Sequence, residues 1–403
     1  MTRVKSQERR VESRKARFAL RSGSGSRLST LGSGFPRRGI APHVGEFLRN
    51  SHPRLGEARR RGGVTLIELL IAILIISILA GLILGVAAVA AETAREAHTR
   101  HMVTRLHTLL MEHYDSYKTR RVRLRDEVVN KINTLSASQR GRALAEARLY
   151  ALRELMLMEI PDRWSDILLA GVPSSPTTAV TRYPVYLDVS NSANGRTALA
   201  NTYLRRYWQA AATAPDGATL TENQGAECLY MVITIACGDG EARTLFHESD
   251  IGDTDGDGAP EFLDGWGRPI NFLRWAPGFD SQIQINANEL GDPIPSNSAW
   301  ITAAANDHDP FDIFRSDAFA FRMVPLIFSG GRDETFSIRL VKPYVTWLGN
   351  TNITFPFNPS NPRKLLPYLK ATDPDDGSTE YLGIDNGENA STDNIHNHLL
   401  GLR

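Results

Sequence analysis

Between Leu69 and Ala91 the chain runs for 23 residues without a charged side chain, and all but Ser77 are Leu, Ile, Val, Ala or Gly. At about 1.5 Å rise per residue, a helix of this stretch reaches across the roughly 30 Å hydrocarbon layer of a bilayer. It is too long for the apolar core of a secretory signal, and no convincing signal-peptidase site separates it from Glu92. Arg59, Arg60 and Arg61 lie just before it, so the positive-inside rule places the preceding residues in the cytoplasm and the remainder outside. The expected location is therefore the inner (cytoplasmic) membrane, crossed once.

Charge follows the same division. The formal net charge of the 403 residues is +1, yet residues 1–62 hold 16 Lys/Arg against 4 Asp/Glu, and the remainder 30 against 41. A nucleic-acid-binding head would not confine its positive charge to a Gly/Ser/Arg-rich leader, so no nucleic-acid partner is expected for it. Two cysteines exclude a disulfide framework and a four-cysteine zinc module.

Glu68 sits one turn into the apolar run, where an unpaired carboxylate costs several kcal/mol of insertion energy. No Lys or Arg lies within the span, which leaves a chain terminus, a neighbouring subunit or interfacial water as its partner. The segment Arg59-Arg60-Arg61-Gly62-Gly63-Val64-Thr65-Leu66-Ile67-Glu68 closely resembles the processing site of type IV prepilins and type II secretion pseudopilins. The resemblance implies cleavage after Gly63 by a prepilin peptidase/N-methyltransferase, methylation of the new N-terminus at Val64, and an assembly role for Glu68. It also implies that Glu68 neutralises the ammonium of an adjacent copy of the chain or of another pilin-like subunit, on an inner-membrane assembly platform. Val64 replaces the family's usual aromatic residue, and Gly85 stands near the place of its helix-breaking proline.

Beyond the membrane, residues 92–117 lack Pro and Gly, and Val103, Leu106, Leu110 and Tyr117 recur at helical spacing. His98 and His101, one turn apart here, read as solvated polar-face residues in preference to a metal pair. Further helices are expected from a Ser136–Gln139 capping box to Ile160-Pro161, over 197–212 after the Asn194-Gly195 turn, and over 226–237. The last would hold Cys228 and Cys237 about 13 Å apart, too far for a disulfide. From Ile251 onward, β-prone runs at 269–275, 282–285, 323–328 and 335–348 alternate with turn residues. The expected fold class is α+β: a long N-terminal transmembrane spine helix and a pilin-like globular head of several helices and an antiparallel sheet. The expected division is 1–63 (cytoplasmic, cleaved leader), 64–117 (transmembrane and spine helix), 118–250 (helical part of the head) and 251–403 (calcium loop and β-rich part).

The strongest chemical motif of the head is Asp253-Thr-Asp255-Gly-Asp257-Gly258-Ala259-Pro-Glu261-Phe-Leu-Asp264, five carboxylates without a basic residue. Its spacing suits a calcium ion held by Asp253, Asp255, Asp257, the carbonyl of Ala259 and Asp264, with Gly258 making the turn. The competing reading is a solvated acidic turn. Two short stretches also resemble major-pseudopilin heads: Asp264-Gly-Trp266-Gly267-Arg-Pro269, and Ser329-Gly-Gly331-Arg-Asp333. Because such heads often carry calcium near their C-terminal loops, Asp333, Glu334 and Asp393 become weaker metal candidates. The tail Asp393–His398 is similar to pilin-like proteins of environmental bacteria such as planctomycetes, and His396 and His398 read as a polar terminus in preference to a metal pair.

No phosphate loop, dinucleotide fingerprint, Gly-x-Ser-x-Gly or His-Glu-x-x-His stands in the head, so the chain is expected to be a structural filament subunit, with no enzymatic activity. The alternative is a single-pass anchor carrying an extracytoplasmic binding, adhesin or enzyme domain. Intact-mass analysis of membrane-extracted protein separates the two: a filament subunit begins at methylated Val64, whereas an anchor retains its leader.

Overall fold

The computed structural model describes residues 63–168, 184–189, 196–217, 219–237, 242–293, 296–340, 367–372, 378–385 and 393–399. Residues 1–62, the Asn194-Gly195 turn and residues 341–348 lie outside this set. Helix α1, Leu66–Ser116, is 51 residues long and ends in a 3-10 turn at Tyr117–Thr119. It passes through Gly81 and Gly85 without interruption. Up to Ala91 its side chains are exposed on every face. From Thr99 onward, Thr99, Met102, Val103, Leu106, Leu110 and Tyr114 are buried, a stripe at three- and four-residue spacing that keeps one face against the head. Among the described residues this is the one helix long and apolar enough to cross a membrane.

The helices that follow are α2 (Asp126–Asn133), α3 (Ala137–Glu159), α4 (Trp164–Leu168), α5 (Ala198–Thr213), α6 (Thr219–Glu222) and α7 (Gln224–Met231). Every residue of α3 from Leu149 is buried, so this helix is enclosed by its neighbours. Ser136 occupies its N-cap position, but the hydroxyl donates to Gln139 Oε1 (2.9 Å) and caps no backbone N–H; the expected capping box does not form. Thr197 caps α5 by accepting from the Ala200 N–H at 3.2 Å. Helix α7 continues into a single π turn, Val232–Ala236, and Cys228 and Cys237 are both free thiols.

Strands β1 (Ile251–Gly252) and β2 (Glu261–Phe262) pair antiparallel and close the acidic loop at its base. The main sheet is antiparallel with order β3-β4-β7, formed by Asn271–Leu273, Leu326–Ser329 and Ile395–His396; β5 (Ala371–Thr372) and β6 (Thr379–Glu380) pair separately. Two more helices, α8 (Ala287–Leu290) and α9 (Ser298–Asn306), lie between β3 and β4 in the chain. Residues 282–285, expected as a strand, form turns instead. Gln284 supplies the reason: its side-chain amide donates to Ala276 O (2.7 Å) and accepts from the Val324 N–H (3.2 Å), replacing a ladder's backbone bonds. The described part of the run from Thr335 contributes only the isolated bridge Ile338–Asp385.

One hydrophobic cluster runs from Met102 on α1 to Ile395 on β7. Buried ion pairs cross it: Arg153 on α3 meets Asp309 (3.0 Å) and Asp317 (3.2 Å), and Arg274 meets Asp166 (2.9 Å) and Asp162 (3.5 Å). Removing one member of such a set strands a buried charge. Arg153→Met is therefore expected to cost about 3–5 kcal/mol in denaturant unfolding of the solubilised protein, because Asp309 and Asp317 lose their shared cation.

Candidate functional site

The processing segment is open. Gly63 and Val64 are exposed, and nothing lies within 4 Å of the position a Gly63 side chain would take. Two residues on, Thr65 is the N-cap of α1: its hydroxyl accepts from the Glu68 N–H at 3.3 Å, and Glu68 Oε2 accepts from the Thr65 N–H at 2.8 Å. This reciprocal capping box satisfies two orphan N–H groups at the head of the helix. It also gives Glu68 an uncharged partner within its own chain, in addition to the terminus, neighbouring subunit or water that the lack of Lys and Arg implies. The signal was the Thr65-Leu-Ile-Glu68 spacing.

Farther along α1, the turn Asp264–Arg268 docks on the helix. The Gly265 N–H donates to Thr99 Oγ1 (2.8 Å), whose own hydroxyl donates to Arg95 O (2.9 Å), and the Trp266 indole donates to Glu92 Oε1 (3.1 Å). A Cβ on Gly265 would lie 2.4 Å from Arg95 O, so only glycine lets the turn come this close. Asp264 is not turned toward the acidic loop. Its Oδ1 accepts from the N–H groups of Trp266 (2.8 Å) and Arg268 (2.9 Å), and its Oδ2 from Ser329 Oγ (2.6 Å). Ser329 Oγ in turn accepts from the Gly331 N–H at 3.1 Å. The two pseudopilin-like stretches thus meet through Asp264 and Ser329.

The structure brings Asp253, Asp255 and Asp257 together, each offering an oxygen within 4.8 Å of the others. Asp253 folds the loop by accepting from the N–H groups of Gly256 (2.8 Å) and Gly258 (3.0 Å), the latter at φ +90°. The Ala259 N–H donates to Asp257 Oδ1 at 2.6 Å. Asp264, which the spacing gave as the closing ligand, stays outside this group. In its place stand two residues absent from the sequence-derived ligand set, Glu261 at the start of β2 and Glu227 on α7, whose oxygens lie within 4.8 Å of each other and of Asp255. Both glutamates are completely buried. Burial first, then the charges of Asp257, Asp255 and Glu261, pushes Glu227 up to about 10; burial pushes Glu261 up to about 8 against its hydrogen bonds from Thr254. Among the described residues no Lys, Arg or His forms an ion pair with any of the five carboxylates. Glu227 was hidden because one acid in an apolar run, Ala226-Glu227-Cys228-Leu229, has no spacing that links it to a loop 26 residues away.

The weaker candidates are drawn into structural contacts. Asp393 Oδ2 accepts from the Asp333 N–H (3.1 Å), and Glu334 pairs with Arg268. His396 ends β7 and His398 lies in the 3-10 turn after it; burial lowers them to about 4 and about 3, and both pack edge-on against Phe279. His98 pairs with Asp250 at 3.2 Å. Asp264→Ala is expected to lower stability by about 1.5–3 kcal/mol in thermal or denaturant unfolding, through the loss of its charged hydrogen bonds. Gly265→Val is expected to cost about 1–3 kcal/mol by overpacking against the α1 backbone.

Residues 58–84 match the family model of the prokaryotic N-terminal methylation motif, which ends inside the apolar half of α1. Neither a curated protein nor a solved structure gives a significant match to the chain. The chain combines a prepilin-type N-terminal motif and a long apolar helix with a head of several helices and a small antiparallel sheet, an arrangement that is pilin-like in general architecture.

Proposed function

We propose that this chain is a structural subunit of a type IV filament or a type II secretion pseudopilus, cut after Gly63, methylated at Val64 and assembled through α1. The observation that carries this reading is the coincidence of the methylation motif, residues 58–84, with the start of a membrane-length helix whose third residue is Glu68. The capping box occupies Glu68 Oε2 from within the chain. The other oxygen then meets the ammonium created at Val64 of the next subunit, which neutralises both charges in the apolar filament interior. In this reading the N-terminus faces the cytoplasm and the head is extracytoplasmic, which the arginines before the span support. The head is non-catalytic, and the acidic loop takes a calcium ion that fixes its fold.

The partners are the peptidase/methyltransferase, other copies or pilin-like subunits, the membrane lipid and an inner-membrane assembly platform. Glu68→Ala is expected to leave membrane insertion intact and to abolish recovery of the subunit in sheared filaments. Thr65→Val, which removes only the cap, is expected to reduce recovery without abolishing it. Wild-type assembly by Glu68→Ala would overturn the proposal.

A further inference from the structure

We propose that Glu227 on α7 is the closing ligand of a calcium site whose other carboxylates are Asp253, Asp255 and Asp257, with Glu261 on its buried side. The assignment rests on reading the acidic loop as a calcium site, and it replaces Asp264 in that reading.

Two oxygens carry it. Glu227 Oε2 accepts from the Trp164 indole N–H at 2.5 Å, whereas Glu227 Oε1 has no hydrogen-bond donor; Asp257 Oδ2 is likewise buried without one. The two carboxylates meet within hydrogen-bonding reach of each other. A buried carboxylate oxygen with no donor is destabilising, and two that converge require a positive charge between them. A proton shared by Glu227 and Asp257 answers that one contact. It leaves Asp253, Asp255 and Glu261 clustered without a counter-charge.

A divalent ion answers all of them. Oxygens bound to one calcium ion at about 2.4 Å stand no more than about 4.8 Å apart, and the oxygens within each of the two carboxylate groups that share Asp255 lie inside that limit. The donors are oxygens throughout, with no His or Cys, and this favours a hard cation. The two groups hold five carboxylates, and Glu227, Asp257 and Glu261 are completely buried, leaving little room for the waters that magnesium retains. Asp264 has both oxygens committed elsewhere, Oδ1 to the docking turn and Oδ2 to Ser329. Closure from α7 therefore ties the β1–β2 hairpin to α7 and, through Trp164, to α4.

The test is calorimetric titration of calcium into the full chain, solubilised in detergent and stripped with chelator. Wild-type protein is expected to bind, Glu227→Gln to bind about a hundredfold more weakly, and Asp264→Asn to bind as wild type. Wild-type affinity in Glu227→Gln, with binding lost in Asp255→Asn, would overturn the role of Glu227 and keep the loop as a calcium site. Absence of calcium heat in the wild type would overturn both. Terbium luminescence adds a readout that does not depend on the folding of Glu227→Gln. Trp164 touches Glu227, so Trp164→Phe is expected to lose most tryptophan-sensitised terbium emission. Unchanged emission would place the ion away from Glu227.

Discussion

Helix α1 is apolar on every face from Leu69 to Ala91 and on one face only from Thr99, so a single continuous element must satisfy two different solvents. Its first half has exposed Leu, Ile and Val all round, which only lipid or other apolar helices can cover. Its second half needs a folded partner for the stripe from Met102 to Tyr114, and the head is built against that stripe. Hydrogen bonds along α1 reinforce this contact. His107 Nδ1 accepts from Asn397 Nδ2 (2.9 Å), and burial holds the imidazole below its usual range, in the neutral form that can accept.

The docking turn shows how a few residues position the rest of the head. Gly265 permits the approach to Arg95, Thr99 orients the turn, and Asp264 holds its backbone while reaching Ser329. Asn397 extends the same logic to the last strand, since its Oδ1 accepts from the Ile327 N–H and its Nδ2 donates to Pro325 O. The residues that look like conventional turn punctuation in the sequence are therefore the joints between α1 and the β3-β4-β7 sheet.

Buried charge is handled in two contrasting ways. Around Arg153 and Arg274 each guanidinium meets two carboxylates, and desolvation is offset by short ion pairs. Among the described residues, the carboxylates around the acidic loop have backbone amides, Thr254, Asn223 and Trp164 as donors. The first arrangement pairs its charges within the chain; the second gathers like charges, which is the observation behind the proposed calcium site.

The span, the helix that carries it and the α+β class of the head were legible in the residues themselves, because apolar continuity and helical period are local properties. The acidic triad Asp253, Asp255 and Asp257 was legible for the same reason: its oxygens are gathered by one loop. The Ser136 cap and the 282–285 strand were misread because a side-chain partner, Gln139 in one case and the Ala276–Val324 pair in the other, outcompeted the regular backbone bond. What only the tertiary structure decided is that Asp264 stands apart from the acidic cluster while Glu227 and Glu261 join it. Asp264 is drawn to Ser329, 65 residues away, and Glu227 reaches the loop from a helix whose sequence advertises nothing but apolar packing. A contact between distant segments leaves no period or spacing in the chain, so it exists only once packing has brought them together.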